Sequence, residues 1–146
     1  MYKELDNHLT MVKVILGILF LLSGGSIYLL HRSTGIVLFR VVDALGCMDT
    51  VEALRASVAT LPEFVVFSLP DGLWSASYLL FVDAVFASQS KSIRLVWGAL
   101  IPAIGLASEL LQAIGFCPGT PDWQDALCYG VPYILYVIWL EVAAAH

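Results

Sequence analysis

Four stretches of this chain are apolar almost throughout: Met11 to Leu30, Gly72 to Ser88, Ile93 to Ile114 and Trp123 to Ala143. A helix crosses a hydrocarbon core in ~20 residues, so each stretch predicts a transmembrane helix, the second being short unless the residues before it contribute. Residues 88–92 form a short loop, and 115–121 contain Pro118-Gly119-Thr120-Pro121, which must turn. Spans two and three, and spans three and four, are therefore antiparallel neighbours.

Residues 31–70 are too apolar for a free loop and too interrupted for a clean span, which predicts an interfacial segment on the membrane. Within it, Ile36 to Leu45 is apolar around Arg40 and Asp43. Asp49-Thr50-Val51-Glu52 has the form of a capping box, predicting a short helix to about Thr60. Pro62 and Pro70 bracket Phe64 to Leu69, which is either a short dip into the bilayer or the broken start of the second span. Pro70-Asp71-Gly72 then predicts a helix entrance capped by Asp71. The expected fold is an all-α membrane protein of one domain, with four transmembrane helices and a long interfacial segment between the first two.

Polar and small residues recur at helical spacing and mark the faces turned toward other helices. On the first span these are Gly17, Leu21, Gly24, Tyr28 and His31; on the second, Asp71, Ser75 and Tyr78. On the third they are Gly98, Pro102, Gly105, Glu109 and Gln112, and on the fourth Asp122, Asp125, Tyr129, Pro132 and Tyr136. Trp74, Trp97, Trp123 and Trp139 fall near span ends, as in an aromatic belt.

The composition strengthens the membrane assignment: the chain is 60% hydrophobic and 13% charged. A cleaved signal peptide competes for the first stretch, but the apolar run continues through Ile27 to Leu30. The basic residues Lys3, Lys13, Lys91 and Arg94 favour a cytoplasmic N-terminus over the opposite arrangement, which would put Arg32, Arg40 and Arg55 inside. The outer side then collects most of the carboxylates of a chain whose net charge is −5, which favours cationic groups there and disfavours nucleic acid. Cys47 and Cys117 share that side, where either a disulfide or unpaired small apolar roles would fit; with Cys128 they make no metal motif.

Topology brings Asp71, Glu109, Gln112, Asp122 and Asp125 to one depth at the outer edge, with His31, Arg32 and Arg40 as basic partners. Asp71 and Asp122 read as helix caps, and Asp125 as a charge favoured by a helix N-terminus. Glu109 is different. It lies near a helix C-terminus, whose dipole opposes its charge, and needs a proton, a cation or a base. Gln112 reads as an interhelical hydrogen-bond donor. Asp83 lies near the inner edge on another face and reads as structural, paired with Lys91 or Arg94.

Glu109-x-x-Gln112, a Gly/Pro turn, Asp122-x-x-Asp125 and Gly130 resemble the C-terminal signature of the VanZ-like membrane proteins. Asp71 matches the aspartate of that family's earlier motif, with Gly72 and Ser75 in place of its lysine and histidine. The last motif lacks the usual preceding arginine, and Tyr129 replaces an asparagine. The resemblance implies a small helical protein of the bacterial inner membrane, in a group associated with low-level resistance to the glycopeptide teicoplanin.

Three functions fit these residues. The first is an outward-facing acidic pocket for a lipid headgroup, a lipid-linked envelope precursor or a glycopeptide-type antibiotic. Glu109, Gln112 and Asp125 would form its floor, Asp71 and Asp122 its rim, and Tyr78 and Tyr129 its walls. The second is a membrane-embedded lipid phosphate hydrolase or transferase, in which Glu109, Asp122 and Asp125 hold Mg²⁺ or Ca²⁺ and Glu109 serves as base. The third is a subunit docked onto another membrane protein.

Overall fold

The computed structural model describes the backbone of residues 2–144 and the side chains of 7–143; Lys3 and His146 fall outside the latter. It is all-helical: α1 (Tyr2–His31), α2 (Val37–Ala44), α3 (Met48–Ser57), α4 (Glu63–Phe67), α5 (Leu69–Val85), α6 (Lys91–Ala113) and α7 (Trp123–Ala144). Three of these helices are long and apolar enough to cross a membrane: Asn7–His31 within α1, Lys91–Ala113, and Trp123–Ala143 within α7. Their outer faces carry exposed large apolar residues, among them Leu22, Val96, Ile104 and Leu135, as expected of surfaces turned to lipid.

The helix α5 is shorter, at 17 residues, and is the hub on which α1, α6 and α7 all pack. It runs antiparallel to α1, with Pro70 beside Gly24, Ser77 beside Gly17 and Asp83 beside Lys13. It runs parallel to α7, with Gly72 against Cys128 and Leu79 clustered with Tyr136 and Leu140. α6 returns antiparallel to both, its Arg94 meeting Asp83 and its Glu109 meeting Asp122. The four therefore alternate in direction, and two ends of the bundle can be distinguished: a Lys13 edge and a Glu109 edge.

Small residues set the close approaches that the helical spacing predicts. Gly98, Pro102 and Gly105 are the buried residues of α6. A Cβ at Gly98 would stand 2.7 Å from the Tyr136 ring, and one at Gly105 would collide with Tyr129. On α1, a Cβ at Gly24 would stand 2.7 Å from Trp74 Nε1 and one at Gly17 2.9 Å from Phe81. Large rings on one helix thus fill the spaces left by missing side chains on the next.

Several local expectations are corrected. The second long helix begins at Leu69 and ends at Val85, three residues earlier at each end than 72–88. Proline fits the first turn, where its missing N–H has no helical partner, so Pro70 lies inside the helix and Asp71 makes no capping bond. α4 leads directly into α5 through Ser68, giving the broken start that Pro62 and Pro70 foreshadow. α3 begins at Met48 behind Cys47 and ends at Ser57, short of Thr60; Asp49 sits in its first turn rather than capping it. Trp74 also ties α5 to α1: its indole N–H donates to Leu21 O (3.3 Å) and its ring packs on Tyr28. The three cysteines are free, so Cys47 and Cys117 form no disulfide.

The tyrosine-on-glycine packing has a direct test. Alanine normally improves on glycine within a helix by up to ~1 kcal/mol. Gly130 faces open space, so Gly130→Ala should leave the melting temperature in detergent unchanged or higher. Gly105→Ala must displace the Tyr129 ring and should destabilise by about 1–3 kcal/mol.

Candidate functional site

At the Glu109 edge, the chain folds back on itself between α6 and α7. α6 ends with Gly115 at φ +73°, and the N–H groups of Gly115 and Phe116 donate to Gln112 O and Leu111 O. This left-handed closure is why glycine stands there. At Gly119 (φ +140°) a Cβ would overlap the Gln112 amide. The turn therefore lies directly over Gln112.

That turn delivers the N-terminus of α7 to Glu109. The Asp122 N–H donates to Glu109 Oε2 (2.9 Å), while Asp122 Oδ1 accepts from the Gln124 N–H (2.8 Å). Gln112 Nε2 donates to Ser108 Oγ (3.3 Å) and to Glu109 Oε1 (3.4 Å). Glu109 thus satisfies its charge at the positive end of the neighbouring helix, despite its place at the negative end of its own. Asp122 is the helix cap its sequence position predicts.

The basic partners expected for Glu109 are elsewhere. The ion pairs among the described residues are Lys13–Asp83, Arg94–Asp83 and Lys91–Glu141, so His31, Arg32 and Arg40 make none with Glu109. Arg40 is exposed and His31 half-buried. Arg32 donates to Phe67 O (3.2 Å) and lies 4.5 Å from the Phe67 ring centroid. It is also close enough to Asp71 to act on its charge.

Across α5 and α7 the structure assembles a second carboxylate group. Asp71 and Asp125 lie near enough to act on each other's charge, with Tyr129 and Glu109 in the same neighbourhood. Ser75 donates to Tyr129 O (3.4 Å), fixing α7 against α5 one turn deeper. Asp125 Oδ1 is buried without a hydrogen-bond partner. Beside this pair lies a groove of about 430 Å³ between α4, α5 and α7, lined by residues including Phe64, Leu73, Leu127 and Val131, with Gly72 and Cys128 next to the carboxylates.

Six of the seven expected site residues therefore meet at this edge: Asp71, Asp125 and Tyr129 around one centre, and Glu109, Gln112 and Asp122 in the turn beside it. Tyr78 does not. Its hydroxyl donates to Trp97 O, and its ring packs on the Leu79–Tyr136–Leu140 cluster toward the other end of the bundle. Asp71 and Tyr78 share a face but are two turns apart, and the spacing alone conceals that distance. Among the described residues, no three His, Cys, Asp or Glu side chains stand together in a way that could hold a metal ion. Glu109 and Asp122 are instead committed to backbone amides.

At the opposite end, Asp83 is 3% exposed and is held by Lys13 (Nζ–Oδ2 2.7 Å) and by Arg94. Of the two basic residues expected near it, Arg94 binds it and Lys91 pairs with Glu141. Lys13 was not among the partners expected for Asp83 and reaches it from α1. Arg55 was not expected to have a structural role either. It donates to Leu29 O (2.7 Å) and Arg32 O (2.8 Å), capping α1 and pinning α3 to its end.

Comparison with family models, curated proteins and solved structures finds no match for this chain.

The capping role of Asp122 is worth about 1 kcal/mol, so Asp122→Ala should lower stability by that amount. Glu109→Leu removes a charged acceptor from a buried amide and should cost more, roughly 1.5–3 kcal/mol. Hydrogen exchange at the Asp122 amide should accelerate in Glu109→Leu and much less in Glu109→Gln, which keeps an acceptor oxygen.

Proposed function

We propose that this chain is a multi-pass protein of the bacterial inner membrane that binds an amphiphile at the Glu109 edge without transforming it. The polar head would sit on Asp71 and Asp125, and the tail would occupy the groove between α4, α5 and α7. The observation carrying this reading is the buried, unpartnered Asp125 Oδ1 near a second carboxylate, with an apolar groove bordered by Gly72, Gln124 and Cys128 on the same two helices. A buried acceptor without a donor is costly, and two neighbouring carboxylates favour a cation. An ammonium answers both demands, and an array of amide and hydroxyl donors answers the first. A lipid headgroup, a lipid-linked envelope precursor and a glycopeptide-type antibiotic all supply such donors, and the last agrees with the VanZ-like pattern of residues 109–125.

This reading takes α5 as a fourth crossing. Its 17 residues extend about 25 Å at 1.5 Å per residue, and their contacts run from Gly24 to Lys13 of α1. It also takes α2 as lying on the membrane surface, since Val37, Val41 and Leu45 of this segment are 72%, 52% and 71% exposed. Lys13, Lys91 and Arg94 share one edge, which would face the cytoplasm and leave the carboxylates outside.

The test is native mass spectrometry on gently extracted protein, comparing the wild type with an Asp71→Asn, Asp125→Asn variant of unchanged melting temperature. An amine- or amide-bearing lipid should accompany the wild type and be at least about tenfold depleted in the variant, as for loss of one charge-assisted hydrogen bond. Equal occupancy in the two proteins would remove the proposal.

A further inference from the structure

A second groove lies at the Lys13 edge and has no part in the amphiphile site just described. α1 and α7 both pack on α5, and between them opens a space of about 490 Å³. It runs from Lys13, Asp83 and Trp139 at the edge to Phe20, Ala76 and Pro132 seven residues deeper, or ~10 Å along the helices at 1.5 Å per residue. The lining is apolar along the deep part and polar only at the edge, where Lys13, Asp83 and Tyr136 border it. This is the layout of a lipid: a hydrocarbon slot ending in charge at membrane-surface depth.

The charge at that end has a definite sign. Asp83 neutralises one of the two cations that hold it, so Lys13, Arg94 and Asp83 together keep one positive charge. The Lys13 ammonium has three N–H groups, of which one is directed at Asp83 Oδ2 (2.7 Å). Tyr136 borders the groove and is 7% exposed; its hydroxyl is buried near Arg94 and Asp83 without making a hydrogen bond to either. The Lys13 ammonium, with a unit of excess positive charge, thus stands at the mouth of an apolar groove beside a hydroxyl that has no partner. A phosphodiester monoanion supplies both the acceptors and the balancing charge.

We propose that this groove holds one acyl chain of an acidic phospholipid, whose phosphate accepts hydrogen bonds from Lys13 and from the Tyr136 hydroxyl. A zwitterionic lipid offers the same phosphate but carries its own cation beside it, so the excess charge at Lys13 selects the acidic one. The site is separate from the acidic pair at the other edge in location, in charge and in headgroup.

The experiment offers delipidated full-length protein in detergent an equimolar mixture of phosphatidylglycerol and phosphatidylcholine, and reads the retained lipid by native mass spectrometry. The wild type should retain one phosphatidylglycerol in preference to phosphatidylcholine. Tyr136→Phe should reduce that retention about fivefold, the equivalent of one hydrogen bond. Because the substitution deletes an unpartnered hydroxyl, a purely structural Tyr136 would leave stability the same or higher and lipid retention unaltered. Ala76→Phe blocks the deep end and should abolish retention of both lipids at an unchanged melting temperature. Leu135→Trp, at an exposed position of the same wall, provides the block if Ala76→Phe does not fold. The Asp71→Asn, Asp125→Asn variant should retain phosphatidylglycerol as the wild type does, separating the two sites. Equal retention of the two lipids by the wild type, or undiminished phosphatidylglycerol retention in Tyr136→Phe and the blocked variant, would overturn the proposal.

Discussion

Four side-chain donors of α5 are satisfied by the backbones of its neighbours, and the rest of the structure is arranged around that demand. Ser77 donates to Gly17 O (2.7 Å), Trp74 to Leu21 O, Ser75 to Tyr129 O and Tyr78 to Trp97 O. Each acceptor is a backbone carbonyl of a neighbouring helix, using the lone pair its own helical bond leaves over. On the four-crossing reading proposed above, these donors would have no water to turn to. The close approaches at Gly17, Gly24 and Gly98 follow from the same need, because a side-chain hydroxyl reaches a neighbouring backbone only when the two helices nearly touch.

This also explains what was legible in the sequence. The small and polar positions on each helix declare a face, and those faces do meet: Gly98 and Gly105 against Tyr136 and Tyr129, Gly17 and Gly24 against α5. Partner identity is another matter. A carbonyl accepts equally well whatever residue bears it, so no residue type on α1 or α6 announces that it will receive Ser77 or Tyr78. The same holds for Arg55, whose acceptors are the carbonyls of Leu29 and Arg32. Side-chain pairs were more readable, as with Asp83 and Arg94, although Lys13 was concealed by its distance along the chain.

The acidic residues at the Glu109 edge turn out to serve two different tasks. Glu109, Gln112 and Asp122 are absorbed into the α6–α7 turn, where they bond one another and the amides at the N-terminus of α7. Asp71 and Asp125 remain outside it, and Asp125 Oδ1 is buried with no partner. Their separation could not be read from spacing, because Glu109 and Asp125 both lie one turn from the same loop. What distinguishes them is which backbone amides the turn brings within reach.

The buried Asp83 bears on how the protein is made. On the four-crossing reading proposed above, α5 is a short crossing with Asp83 two residues from its C-terminal end, where an unpaired carboxylate beside hydrocarbon is still costly. The two cations that neutralise it come from α1, made earlier, and from α6, made immediately afterwards. On that reading one carboxylate ties three consecutive long helices together, and withdrawing any one of them deprives a charged group on the others of a partner.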